Sequence, residues 1–155
     1  KKTRAQPATL VVERAYGMLE LHHEDKGEVI QAGHEILAAM GNKLEDRIKP
    51  KVISNTIIRA IEPMHAMILD KIRFGSMIEP GQSLFIMECE PAAYIALAAN
   101  EAEKAADIRL VDFTPFGAFG RLYLAGSEAM IDVAAAAATS ALEGITGVAG
   151  GGKEK

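Results

Sequence analysis

The residues best suited to chemistry in this chain form one short cluster, His22-His23-Glu24-Asp25. Imidazole and carboxylate groups are common metal ligands. Neighbouring side chains on a β-strand point to opposite faces, so both histidines can bind one metal only if the chain turns here. The same residues also make an ordinary polar turn before a helix that begins near Gly27. The sequence favours the polar turn, and a metal-dependent enzyme that uses His22 and His23 is the less favoured alternative.

A second candidate is Cys89, which lies between Glu88 and Glu90. The two carboxylates are expected to raise the pKa of the thiol, and a protonated thiol is a poor nucleophile. Glu88 and Glu90 share a strand face, as a general acid and base would, but the sequence pairs them with no cleft residue. The chain has no glycine-rich phosphate loop, CxxC pair or serine nucleophile elbow. We therefore expect no catalytic site, no cofactor and no enzymatic activity.

Charge and composition disfavour several classes of function. Seventeen basic and 21 acidic residues give a net charge of −4, which argues against a nucleic-acid partner. A single cysteine cannot form an intramolecular disulfide and fits a reducing compartment. No apolar run approaches the roughly 18 residues that span a bilayer. We therefore expect a cytoplasmic protein without a membrane partner, and 155 residues suffice for one ordinary domain.

Hydrophobic periodicity predicts an alternation of strands and helices. The predicted strands are 10–21 (broken near Gly17), 52–61, 84–88, 108–113 and 121–125. The predicted helices are 27–40, 63–72, 92–106 and 127–144, with Ser127 as the N-cap of the last. The last two helices are rich in alanine, which buries little volume per residue. They therefore suit close packing against a sheet or against another subunit.

A weak internal repeat suggests how the chain is divided. The segment Tyr16-Gly-Met-Leu-Glu-Leu21 matches Phe119-Gly-Arg-Leu-Tyr-Leu124 in the spacing of aromatic, glycine and leucine residues, and each precedes a turn and a helix. Residues 1–50 are therefore predicted to be an N-terminal strand-helix extension or half-repeat. Residues 51–146 form the main domain, and the glycine- and lysine-rich residues 147–155 are predicted to be a disordered tail.

The order of segments from Leu84 to Ile145 resembles the shell proteins of bacterial microcompartments. The matching segments are a strand and alanine-rich helix, Glu103-Lys-Ala-Ala-Asp-Ile108, a strand, an apolar loop with glycines, Arg121-Leu-Tyr-Leu-Ala-Gly126 and a second helix. A strand that usually follows the last helix precedes the first strand here. Some shell proteins of ethanolamine and propanediol compartments share this circularly permuted order. The resemblance implies an α+β fold with a ferredoxin-like, four-stranded antiparallel sheet and helices on one face.

The resemblance also implies a structural function. Identical subunits would form a cyclic disc such as a hexamer, and discs would tile with other shell proteins around enclosed enzymes. Small metabolites would cross an axial pore. The residues that match the pore loop are Phe113, Thr114, Pro115, Phe116, Gly117, Ala118, Phe119 and Gly120.

The resemblance places three residues at the tiling edge of the disc. Lys104 falls in the position of the family's tiling lysine. The family often has Arg-Pro-His after its last strand, where this chain has Glu62-Pro-Met-His65. Glu62 in place of arginine weakens that edge contact, and Arg59 and His65 are the nearby candidates for it.

Several alternatives stay open at this point. Phe116 and Phe119 fill the domain's own core if they do not line a pore. Lys104 pairs with Asn100 or Glu101 if it is an ordinary exposed helix lysine. The whole chain has two rival functions, a ferredoxin-like regulatory domain that binds a small molecule and the metal-dependent enzyme. The assembly is either a hexamer or a trimer of double domains.

Overall fold

The computed structural model describes residues 2–150, and residues 51–143 contain an antiparallel sheet with the strand order β3-β4-β6-β5. The four strands of this sheet are β3 (Lys51–Ile58), β4 (Ser83–Glu90), β5 (Arg109–Thr114) and β6 (Gly120–Gly126). The helices are α1 (Lys26–Ala39), α2 (Pro63–Ile72), α3 (Tyr94–Ala105) and α4 (Glu128–Glu143). A hairpin of β1 (Gln6–Val11) and β2 (Met18–His22) precedes them. The predicted α+β class and four-stranded antiparallel sheet are confirmed.

Helices α3 and α4 pack together on one face of the sheet. Both bury alanine faces, so their backbones approach closely. Phe85, Met87 and Leu124 project from the sheet into the same core and are fully buried. Ser127 caps α4 by accepting a hydrogen bond from the Met130 N–H at 3.4 Å, as the sequence predicted.

Helix α2 lies on the face of the sheet opposite to α3 and α4. Side chains alternate along β4, so Leu84 points away from α3 and α4, whereas its neighbour Phe85 points towards them. Leu84 packs in a second core cluster with Ala66 of α2, Ile61 and Val111. Strand β4 has apolar side chains on both faces at this end. Other elements must therefore pack on both faces, and α2 packs on the second one.

The N-terminal unit, which comprises β1, β2 and α1, forms two antiparallel strands and a helix where the sequence predicted one broken strand and a helix. Asp25 caps α1 by accepting a hydrogen bond from the Gly27 N–H at 2.8 Å. The unit leaves large apolar side chains in solvent, including Leu10 at 70% and Val12 at 87% exposure. A two-stranded hairpin is marginal on its own, so this surface needs cover from elsewhere.

A short 3-10 helix, Leu44–Asp46, follows the N-terminal unit, and the linker 47–50 then leads into β3 with the C-terminal segment along it. Ile48 and Val148 form a parallel β-bridge. The tail that the sequence predicted to be disordered from residue 147 is thus paired in its first part, because a backbone bridge ties it to the linker. Residues 151–155 of that prediction lie outside the described residues.

Candidate pore loop and assembly edges

The β5–β6 loop consists of residues 115–119, which is shorter than the predicted segment. Phe113 and Thr114 belong to β5, where they pair with Leu122 and Arg121 of β6, and Gly120 is the first residue of β6. The strands extend further than the sequence indicated because ladder pairing with β6 overrides the weak strand propensity of this stretch. The candidate opening is therefore formed by a five-residue loop.

Two glycines shape this loop. Gly117 has φ 95°, a conformation that favours glycine, and its N–H donates a 2.8 Å hydrogen bond to the Tyr16 carbonyl of the N-terminal unit. Gly120 lies against the start of α3, where a Cβ atom would stand 2.2 Å from the Ala92 carbonyl oxygen. The tip of the loop is thus tied to the N-terminal unit and its root to α3.

The phenylalanines of the predicted pore segment lie outside both core clusters. Phe113 is 39% exposed and Phe119 is 36% exposed, whereas Phe85 in the main core is fully buried. Neither cluster contains Phe113, Phe116 or Phe119. The geometry therefore does not support the alternative in which these rings fill the domain's own core.

A cleft of about 380 Å³ opens beside the loop. Its walls are Phe74, Gly75, Leu110, Asp112, Phe113, Thr114 and Phe116. Burial raises the pKa of the Asp112 carboxyl, whose Oδ1 has no hydrogen-bond partner among residues 2–150.

Sequence reasoning missed Phe74, which is 96% exposed. The next residues, Gly75 and Ser76, donate backbone hydrogen bonds to Val111 and Leu110, so the segment lies along the edge of β5. The one sequence clue was a Phe-Gly pair like those at 116–117 and 119–120.

The predicted edge residues occur at the opposite end of the sheet. The pairs Ile58–Leu84 and Leu84–Ala125 mark this end, and Arg59 follows β3 directly. Lys104 lies in the last turn of α3, which leads back to the first residue of β5 at the same end. His65 is exposed in the first turn of α2.

Two of the predicted edge residues, Lys104 and Arg59, already have partners within the chain. Lys104 Nζ lies 2.7 Å from Glu101 Oε1, which is the pairing that the sequence left open as an alternative. This hydrogen bond lowers the pKa of the Glu101 carboxyl. The guanidinium of Arg59 spans Glu128 and Asp132 of α4, both at 2.9 Å. Arg59 therefore holds the start of α4 against the end of β3.

The polar cluster 22–25 forms the turn that the sequence favoured. His23 Nδ1 accepts a hydrogen bond from the Asp25 N–H at 2.9 Å, and Asp25 caps α1. Within residues 2–150, no group of three or more His, Cys, Asp or Glu residues is arranged to hold a metal ion. No helix in this described part of the chain is long and apolar enough to span a bilayer.

Cys89 is fully buried, and its pKa is raised from an ordinary value of 9.0 to about 12. Burial is the main cause and the charge of Glu90 adds to it, so the predicted direction is confirmed with a different principal cause. Glu88 instead accepts a 2.7 Å hydrogen bond from Arg121 Nε and a 3.3 Å hydrogen bond from the Ser54 hydroxyl. These contacts show that Glu88 belongs to an ordinary polar face of β4.

Comparisons with known proteins agree with this architecture. A family model described as the CsoS1D N-terminal domain matches residues 1–46. The carboxysome shell protein CcmP of Synechococcus elongatus is 44% identical over 147 residues, which cover 95% of this chain and 69% of that protein. The chain spans 57% to 69% of the lengths of three curated carboxysome shell proteins that it matches.

Two solved structures share the fold. The double-ringed trimeric shell protein MSM0271 of the RMM microcompartment superimposes with a TM-score of 0.91 at 45% identity, covering 94% of this chain and 72% of that one. The fused permuted hexameric shell protein MSM0275 gives 0.87 at 42% identity, with 92% and 72% covered. On this evidence the chain belongs to the bacterial microcompartment shell proteins of circularly permuted type.

Proposed function

We propose that this chain forms flat cyclic discs in a microcompartment shell, with the β5–β6 loop around the axis and the Lys104 end of the sheet at the rim. Family membership gives the chain a structural role and not an enzymatic one. The single observation that carries the disc geometry is the placement of loop and edge residues at opposite ends of one sheet. The seven residues of β6 separate these ends by roughly 20 Å.

A disc also needs two different side surfaces on each subunit, because a cyclic ring repeats one head-to-tail contact. The main domain presents two unlike sides at the outer strands of its sheet. The β5 side carries the aromatic cleft with Phe74 and Phe113, and the β3 side carries the half-exposed Ile53 and Val133. These surfaces support a six-fold or pseudo-six-fold ring whose members associate sideways.

We further infer that the N-terminal unit is the latter half of a second shell-type unit. Its hairpin and helix follow the order of β5, β6 and α4, and Asp25 and Ser127 occupy the same N-cap position. The buried Ala32 and Ala134 each lie seven residues after their caps, from 25 to 32 and from 127 to 134. The N-terminal unit therefore repeats the helix face that α4 buries.

The equivalent strands of the main domain support a covering partner for this unit. Leu122 of β6 is fully buried by its neighbours, whereas Leu19 of β2 is 46% exposed. Equivalents of β4 and α3 would close that surface. Three such double units would give a pseudo-six-fold trimer, in keeping with the trimeric and hexameric relatives.

An axial loop with Phe116 and Phe119 would form an apolar constriction. Such a ring offers no hydrogen bonds to replace the hydration shell of a charged solute, so ions pass less readily than small neutral metabolites. In this proposal the partners are identical copies, other shell proteins and enclosed enzymes, and the site of action is the shell of a cytoplasmic microcompartment.

Solute passage through assembled discs tests the pore assignment. The double variant Phe116→Ser, Phe119→Ser should keep the disc and pass charged solutes faster than the parent. Met40→Ser is the control, because this 66% exposed side chain at the end of α1 lies outside the loop and outside both side surfaces of the main domain, so its loss should leave passage unchanged. If the double variant neither folds nor assembles while the Met40 variant does, the two rings are core residues and the pore assignment is wrong.

A further inference from the structure

The C-terminal segment 146–150 contacts the linker 47–49 through two backbone hydrogen bonds and one from a side chain. The Lys49 N–H donates to the Val148 carbonyl at 2.8 Å, and the Val148 N–H donates to the Arg47 carbonyl at 2.9 Å. The Arg47 Nε donates to the Thr146 carbonyl at 2.7 Å. Three hydrogen bonds thus join segments that lie about one hundred residues apart in the sequence.

Helix α3 holds the same linker from another side. The Tyr94 hydroxyl, at the first residue of α3, donates a 2.8 Å hydrogen bond to the Ile48 carbonyl. Pro50 is buried, and Lys51 pairs with Glu90 at the start of β3. The linker is therefore fixed between α3 and the C-terminal segment before it enters the sheet.

Glycine at position 147 is a steric requirement of this contact. A Cβ atom there would stand 2.4 Å from the Arg47 carbonyl oxygen and 2.8 Å from the Lys49 nitrogen. Both are backbone atoms that cannot rotate away. At Gly150 the nearest atom is the Ile48 Cγ2 at 3.2 Å, which belongs to a side chain that can move.

We propose that residues 146–150 are a clasp that locks the linker 47–50 onto the main domain and so fixes the position of the N-terminal unit. The chain passes from α1 through a short 3-10 helix, Leu44–Asp46, into this linker and then into β3, so the path of the linker limits where α1 and the hairpin can lie. The hairpin in turn contacts the β5–β6 loop through Tyr16 and Gly117. The clasp therefore holds the N-terminal unit against the loop. Its effect on disc closure rests on the proposed function, whereas its effect on the linker does not.

Amide hydrogen exchange on the whole chain tests the clasp. In Gly147→Ala the amides of Lys49 and Val148 should exchange about tenfold faster than in the parent. Gly150→Ala makes the same chemical change in the same segment and should leave both rates within about twofold of the parent. Amides of Leu122 and Leu124 in the core should not change in either variant, which shows that the main domain stays folded.

Two further readouts separate the clasp from general loss of structure. Trypsin should cut the Arg47–Ile48 bond faster in Gly147→Ala and in a chain that ends at Ile145. A spin-label distance between the hairpin and α4 should be narrow in the parent and broad in both variants. Unchanged exchange at Lys49 in Gly147→Ala would overturn the clasp. Faster exchange with an unchanged distance would overturn its positioning role.

Native mass measurements on the same samples keep the two proposals apart. If the parent forms discs, the Gly147→Ala variant should form fewer of them, and an equal yield would remove the link between clasp and assembly. If the parent forms no discs, the proposed function fails. The exchange rates of Lys49 and Val148 still decide the clasp in that case.

Discussion

Replacing Gly120 with alanine tests how the root of the β5–β6 loop is fixed. The new Cβ atom would lie 2.2 Å from the Ala92 carbonyl oxygen and 2.9 Å from the Ile95 Cβ. Ordinary contact begins at 3.4 Å, so β6 and the start of α3 must separate by about 1 Å. Strand β6 cannot make this shift freely, because β4 and β5 pair with it on both sides.

The expected cost follows from two effects. Overpacking in a rigid core costs about 1–3 kcal/mol, and each strained ladder hydrogen bond adds about 1 kcal/mol. A loss of roughly 2–4 kcal/mol corresponds to a fall in Tm of roughly 5–15 °C for a chain of this size. Thermal unfolding followed by circular dichroism measures it directly.

Gly33→Ala is the control for this prediction. Gly33 lies within α1 with no atom within 4 Å of an added Cβ, so the same substitution should raise helix stability by about 0.5–1 kcal/mol. A Gly120→Ala protein that melts within roughly 2 °C of the parent would show that β6 does not approach α3 this closely. The position of the loop root would then be wrong.

Three other predictions concern the rim, the buried thiol and one strained residue. Lys104→Ala should leave single discs intact and reduce the tiling of discs into sheets seen by electron microscopy. Lys71→Ala, in the last turn of α2, should tile like the parent. Equal sheets from both variants would contradict the rim assignment of Lys104. Cys89 should resist thiol reagents in the folded protein at pH 8. The pKa of Cys89 is raised to about 12, so the stability that this thiol contributes is complete below about pH 9 and is lost as the pH rises towards 12. A Cys89→Ala protein that loses as much stability as the parent over this pH range would contradict this. Ala60 has φ 48°, so Ala60→Gly should raise the free energy of unfolding by about 0.5–1 kcal/mol in urea, and a decrease would show that this backbone is not left-handed.

Much of the fold was predictable because local patterns and tertiary structure agree. Pro63 begins α2, which ends at Ile72, and Ser127 caps α4, all as the sequence indicated. The predicted helices 92–106 and 127–144 differ from α3 and α4 by no more than two residues at either end. Helices α2 and α4 each begin at or directly after a residue that favours a helix N-terminus. The apolar face that the sequence predicts is also the face that packs in the structure.

The other features depend on contacts between distant residues. Strand β4 runs to Glu90 because Cys89 pairs with Gly120 of β6 and Glu90 pairs with Lys51 of β3, although this polar end lacks strand propensity. Val148 lies in a glycine-rich stretch that predicts disorder, yet a parallel bridge to Ile48 orders it. Phe74 reaches the cleft beside the β5–β6 loop only because the backbone N–H groups of the next two residues donate hydrogen bonds to the edge of β5. The hydrophobic periodicity of the sequence does not predict pairings between residues so far apart in the chain.

The placement of the β5–β6 loop at the disc axis is the central claim. A gold label on Ala118→Cys, seen by electron microscopy of single discs, tests it most directly. Ala118 is exposed in the loop, and the buried native Cys89 should not react. The label should lie at the centre of the disc, whereas the same label on Lys104→Cys should lie at the rim. Labels on Ala118→Cys at the rim, or a protein that forms no discs, would contradict the account.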